Sequence, residues 1–375
     1  MDVLALTVAA FLAASALHWG GDLDFHPSRE YAALLGFSAI LAAAAARRTH
    51  WLAGLALFWT LLCSLRIWEA PASPYVGVFD PQSVQSLSLI SASSFAFIVA
   101  MVVPFLLDRE LAKRVWIAAR WLCWLDSLYV VGQWVAGVEP FYRGGFFGNG
   151  AMNAAVIAFT FPALEQFVRS RRRVWVLWPR IIARAVPCLA VLAAHSNIAL
   201  AALIVGIVAV EARRGAVVHR WAAVLSSAAA LGLVGWHLMG GKFGENSGRF
   251  ALWRAAMHWW WERHNHWIGA GTGTFLGFGQ VISKDLHAGS NWLWLHNDWL
   301  QVLFEQGAIG AALVAALFVL ACSRAPRWVF AALAAYAVTA CGHYPARLPV
   351  PAFFGLALVV LAIGSDRARA REDGA

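Results

Sequence analysis

The sequence predicts an all-α polytopic membrane protein, and two observations carry that prediction. Of its 375 residues 61% are hydrophobic and only 13% charged, whereas soluble domains carry about 25% charged residues. Apolar runs of the length that crosses a bilayer, roughly 17–25 residues, also recur from end to end. About 12 transmembrane helices are expected, in a single integral membrane domain over residues 1–375. They lie near 3–19, 30–46, 51–68, 87–107, 115–137, 149–168, 180–195, 197–212, 220–239, 297–321, 327–343 and 349–364.

The first run lacks a small-residue cleavage site after a basic segment, so it reads as a retained helix and not a signal peptide. The seventh and eighth are short, and are expected either to tilt or to form a partly re-entrant hairpin around "HSN" (195–197). Orientation follows from the basic residues, which cytoplasmic loops retain. "ARRTH", "DRELAKR", "RSRRRVWVLWPR", "EARRGAVVHR", "SRAPR" and "DRARARE" follow the even-numbered spans, so both termini are expected in the cytoplasm. The net charge of +9 is then mostly topological and argues poorly for nucleic-acid binding. The five cysteines (63, 123, 188, 322 and 341) sit in or beside spans with no CxxC pair, and read as small core residues.

This orientation puts every histidine except His50 and His219 at or beyond the external face. The long loop 240–296, between spans nine and ten, is external too, and holds Lys242, Arg249, Arg254, Arg263 and Lys284. Cations kept outside against the positive-inside tendency point to an anionic substrate. Within the loop, "SGRFALWRAAMHWWWER" (247–263) has Phe250, Leu252, Trp253, Ala256, Met257, Trp260 and Trp261 at helical spacing. It predicts an amphipathic interfacial helix with Ser247 as N-cap. An aromatic belt with snorkelling arginines accounts for the same residues equally well. "GAGTGTF" (269–275) is a Gly-rich turn able to offer backbone N–H groups to a phosphate, although no P-loop lysine follows.

"WLWLHNDWLQVLFEQGAIG" (292–310) enters the tenth span. On a helix starting near Asn297, the side chains of Asn297, Asp298, Gln301 and Glu305 share an arc of about 100°. Asn297 is the expected N-cap, and His296 precedes it at the positive end of the helix dipole, where a neutral imidazole able to accept a proton is favoured. A lone histidine at an interface is more often an anchor.

A family resemblance tips that balance. "LHNDWLQVLFEQGAIGAALVAALF" resembles the H-N-x-x-L-Q-x-x-x-E-x-G-x-x-G signature of the O-antigen ligase/O-antigen polymerase superfamily, through His296, Asn297, Leu300, Gln301, Glu305, Gly307 and Gly310. Upstream, Arg249 and Trp253 are similar to its S-G-R-x-x-x-W helix, and Gly269, Gly271, Gly273 and Phe275 to the turn after it. "GGFFGNGAMNAAVIAFTFP" resembles a family segment with two asparagines, here Asn149 and Asn153. "GHYPARLPVPAFFGL" resembles D-Y-P-x-R-x-P, with His343 where an acidic residue is common. The likeness covers roughly residues 140–365 in order. It departs from the family at "HSNIALA", where Asn197 stands in place of an arginine that helps hold diphosphate; either Arg143, Arg254, Arg263 or Arg347 does that work or the donor site differs here.

The resemblance implies a C-type glycosyltransferase-like fold in the bacterial inner membrane, working on its periplasmic side. The implied donor is an undecaprenyl-diphosphate-linked glycan. The acceptor is a hydroxyl of lipid A core for a ligase, or of a second lipid-linked glycan for a polymerase, with protein O-oligosaccharyltransfer a less favoured variant. His296 is the implied general base and Arg249 the implied diphosphate ligand. Asn297, Gln301, Arg254, Arg263, Arg347, Asn149, Asn153 and Trp292 are the candidate substrate-binding residues. Inversion is expected, without metal or cofactor.

Two other readings use different residues. A metal-dependent transferase would hold its ion on Asp22 and Asp24 with His18 and His26, residue types as common in solvated turns. A lipid-linked glycan flippase would use ionisable groups within the membrane, for which Asp126 and Glu165 are the candidates, neither with an evident partner in the sequence.

Overall fold

The computed structural model describes residues 109–147, 149–170, 177–212, 249–262, 266–271, 275, 279, 294–347 and 349–364. All regular structure among them is helical. Spans one to four and nine, Arg263, Trp292 and the 18–26 turn lie outside the described residues. The chain falls into two units, whose described parts are 109–212 with 320–364, and 249–319.

In the first unit, α1 (Arg109–Val135) buries Ala112, Val115, Ala119, Cys123, Asp126 and Val130. Those positions recur every three or four residues, the repeat of one helical face. The opposite face is also apolar, exposing Ile117, Trp121, Leu125 and Leu128. The centre of the unit is α2 (Gly150–Ser170), with residues buried on all sides, packed against α1, α4 (Asn197–Ala212) and α7 (Arg327–Ala340).

Small residues set the closest approach. Ala199, Ala202, Gly206 and Ala209 of α4 are buried, as are Ala331, Ala332 and Ala335 of α7. A Cβ on Gly206 would lie 3.4 Å from that of Ala335. Close backbone packing of this kind supplies the attraction between helices whose surroundings are as apolar as their interfaces. The last helix, α8 (Pro349–Gly364), packs on α1 and α7 and sets Gly355 against the Tyr336 ring, where a Cβ would approach Cζ to 2.7 Å.

The weakest part of the expected topology resolves into two helices, α3 (Leu177–Ala193) and α4, joined by a short turn. His195, in the turn after α3, lies in the left-handed region at φ 52°. Ser196 caps α4, its Oγ accepting the Ala199 N–H at 3.3 Å.

In the second unit, α5 (Arg249–Glu262) falls where the loop helix is expected, although its apolar residues do not keep to one face. Leu252 and Ala256 are buried while Phe250 and Trp261 are exposed. The long α6 (Asp298–Arg324) is broken at Gly307, whose φ of 68° and ψ of −172° are not helical. By length and composition α2 and α6 can each cross a membrane; α2 is mostly buried in the protein and α6 mostly exposed.

Candidate active site

His296 sits on a strained backbone. Its φ of 53° is left-handed, which costs a residue with a Cβ about 1–2 kcal/mol. Neighbouring groups on both sides hold it there. Before it, Leu295 is fully buried, with both backbone polar groups engaged. The Leu295 N–H donates to Gln301 Oε1 at 3.2 Å, and its carbonyl accepts from Trp253 Nε1 at 2.5 Å. After it, Asn297 caps α6: its Oδ1 accepts the Leu300 N–H at 3.0 Å and its carbonyl the Gln301 N–H at 2.9 Å.

Gln301 is therefore a bracket. It is fully buried, and its Nε2 donates to the buried carboxylate of Glu305 at 3.0 Å, one turn along α6. Sequence spacing put Asn297, Asp298, Gln301 and Glu305 on one arc. The structure buries Asp298, Gln301 and Glu305 and leaves Asn297 half-buried, with Gln301 fixing the residue before His296 and Asn297 capping the helix after it. Trp253 brings in the other partner. Arg249, which opens α5, lies one helical turn before Trp253 on the same face. The indole that grips Leu295 thus ties α5, which Arg249 opens, to the segment carrying His296.

The break in α6 explains the glycines. Interrupting a helix orphans carbonyls before the break and N–H groups after it. Here residues 266–271 satisfy both: Ala270 and Gly271 N–H donate to the Phe304 and Glu305 carbonyls, at 2.9 and 2.8 Å. On the far side, the Ala308 and Ile309 N–H groups donate to the His266 and Trp267 carbonyls, at 2.7 and 3.2 Å. The backbones meet so closely that neither Gly269 nor Gly307, both at φ 68°, has room for a Cβ. At Gly269 a Cβ would stand 2.5 Å from the Glu305 carbonyl oxygen and collide with Gly307 N. So the Gly-rich turn spends the N–H groups of Ala270 and Gly271 on the broken helix and not on a phosphate.

An aromatic core seats these pieces. Leu252, Ala256, Phe275, Leu295 and Phe304 are buried together. Phe304 meets Phe275 edge-on at 5.6 Å and Trp259 at 5.1 Å. Arg254 is exposed on α5.

The other candidates lie in the first unit. Asn149 caps α2, its Oδ1 accepting the Met152 N–H at 3.1 Å. Asn153 is fully buried beside Gly145, where a Cβ would come within 2.5 Å of its Nδ2. Two side chains of α1 fasten the loop between them. Gln133 accepts the Gly145 N–H at 3.1 Å, and Asp126 the Phe146 N–H at 2.9 Å. Arg143 is buried, its Nε on the Val138 carbonyl and its Nη1 on the Ala193 carbonyl, both at 2.6 Å. Arg143, one of the four substitutes named for the position of Asn197, thus bonds the end of α3 just before that turn. His343 lies 3.5 Å from Ser196 Oγ in the same unit, and Arg347 ends the 3-10 turn Pro345–Arg347.

Asp126 and Glu165, for which the sequence offers no evident partner, both have one. Glu165 is ion-paired with Arg169 and Arg184. The tie of Asp126 to a loop and the role of Gln133 escape sequence reading, because nothing in the spacing links α1 to residues 145–146. The break at Gly307 left one trace, two glycines three residues apart inside a span.

No protein-family model matches the chain, and no curated protein matches it. The functional reading therefore rests on the motifs and on this geometry.

Proposed function

We propose that the protein is a membrane glycosyltransferase of the O-antigen ligase/polymerase class, moving a glycan from undecaprenyl diphosphate to an acceptor hydroxyl on the periplasmic face of the bacterial inner membrane. One observation carries the reading: Asn297, Gln301, Glu305, Gly307 and Trp253 form a single apparatus holding His296 at φ 53°. Strained backbone held in place by its neighbours is characteristic of functional sites. A helix capped and bracketed in this way needs none of it merely to anchor at an interface. The membrane setting is supported by α2 and α6 and by the outward apolar faces of α1 and α3.

In this scheme the acceptor hydroxyl attacks the anomeric carbon as its proton passes to His296. The glycosyl–oxygen bond to the diphosphate breaks, and Arg249 receives the departing charge by charge-assisted hydrogen bonds. In-line displacement inverts the anomeric centre.

Purified protein given an undecaprenyl-diphosphate glycan with lipid A core, and separately donor alone, tests this directly. Label appearing on lipid A core identifies a ligase, and a ladder from donor alone a polymerase. Active donor that yields neither product refutes the transferase. Movement of donor across vesicles without new glycosidic bonds would identify a flippase instead.

A further inference from the structure

Between α2, α3 and α4 lies a cavity of about 370 Å³, well away in sequence from His296. Phe161, Pro162, Cys188, Ile207 and Val210 make it largely apolar. Pro162 within α2 lines it, and Pro187 lies within α3 one residue before the lining Cys188. Each removes an intrahelical hydrogen bond and disfavours a straight helix, and α3 and α4 barely touch beyond their turn. The outer face of α3 is apolar as well, exposing Ile181, Ile182, Leu189 and Leu192.

One wall of the cavity is ionic. Arg184 grips both carboxylate oxygens of Glu165, at 2.7 and 2.9 Å. Arg169 donates to Glu165 at 2.5 Å and to Glu211 at 2.8 Å. These four charges cancel. Arg180, one turn from Arg184 on the same side of α3, adds a positive charge that the cluster does not balance, and its Nε is buried with no hydrogen-bond partner. Arg180 does not line the cavity but lies one turn along α3 from Arg184, which does, and an apolar cavity with an unbalanced cation among the described residues beside it suits an anionic amphiphile.

We infer that this cavity binds an anionic phospholipid, one acyl chain filling the apolar part and the phosphodiester pairing with Arg180. The inference rests on the membrane reading above, in which the basic ends of α2 and α3 lie in the cytoplasmic leaflet. Its test is native mass spectrometry of the full chain in detergent, titrated with phosphatidylglycerol and with phosphatidylethanolamine. Wild type retains phosphatidylglycerol preferentially. Arg180→Gln lowers that affinity about tenfold and leaves phosphatidylethanolamine nearly unchanged. Ile207→Trp, which fills the cavity, lowers binding of both lipids while the chain still elutes as a folded species. Equal binding of both lipids by wild type, or no loss in either variant, overturns the site while leaving an integral membrane chain. Release of the chain from membranes by alkaline carbonate overturns the membrane reading and the site with it.

Discussion

Replacing Gln301 with methionine separates a residue that positions His296 from one that binds substrate. The side chain keeps its length and apolar volume but loses both hydrogen bonds of the bracket. The Leu295 N–H, buried at 0% exposure, loses its acceptor, at a cost of about 1–3 kcal/mol. The Glu305 carboxylate, equally buried, loses the Gln301 amide, and hydrogen bonds to charged groups contribute about 1.5–3 kcal/mol. Together these exceed the roughly 1–2 kcal/mol of strain at His296, so the segment relaxes toward ordinary backbone and carries the imidazole with it. A misplacement of about 1 Å costs on the order of 100-fold in turnover. The assay is transfer of labelled glycan by the purified variant, with kcat and KM for donor measured separately. Turnover falls about 100-fold while KM for donor changes little. The His296→Ala/Gln301→Met double variant is no slower than His296→Ala alone, because both lesions remove the same function. Wild-type turnover in Gln301→Met would refute the bracket. A double variant slower than His296→Ala by the full Gln301 factor would show that Gln301 acts on substrate independently.

Three further predictions rest on the same geometry. Gly307→Ala and Gly269→Ala each force a Cβ into the opposing backbone at positive φ, so each lowers the unfolding midpoint in detergent and abolishes transfer; wild-type melting in either would refute the clip between 266–271 and the broken helix. Trp253→Phe keeps the aromatic packing but removes the donor to Leu295, a loss of about 1 kcal/mol that should slow turnover about fivefold with the chain still folded. His195→Gly and His296→Gly both relieve a left-handed residue and should stabilise the chain by about 1 kcal/mol each in thermal unfolding; only His296→Gly should also lose transfer, and equal activity in the two would deny His296 its role.

Much of the helical layout was legible because apolar length and periodicity are local properties. Helices lie at Gly150–Ser170 and Pro349–Gly364, where apolar runs at 149–168 and 349–364 are expected to be helical, and at Arg249–Glu262, where the loop helix 247–263 is expected. Asn297 was readable as an N-cap because capping depends only on the next three residues. The direction of Gln301 and Glu305 was not readable. A polar arc on a membrane helix serves equally to face a substrate or to bond its own protein, and only the position of Leu295 decides between them. Glu165 looked solitary for a similar reason, since Arg184 lies nineteen residues away on the next helix.

By itself, then, the sequence determined an apolar chain whose described regular structure is all helical, the place of most described helices, and a histidine at a helix mouth behind a basic, Trp-rich segment. Those properties depend on composition and on neighbours within one or two helical turns. The tertiary structure decided what each polar residue does. Whether a hydrogen-bonding group faces outward or is spent inside depends on which distant backbone arrives beside it. Residues 266–271 reach the break at Gly307, and α5 reaches Leu295 through one indole. Those long-range meetings turn a string of motif residues into a support for His296.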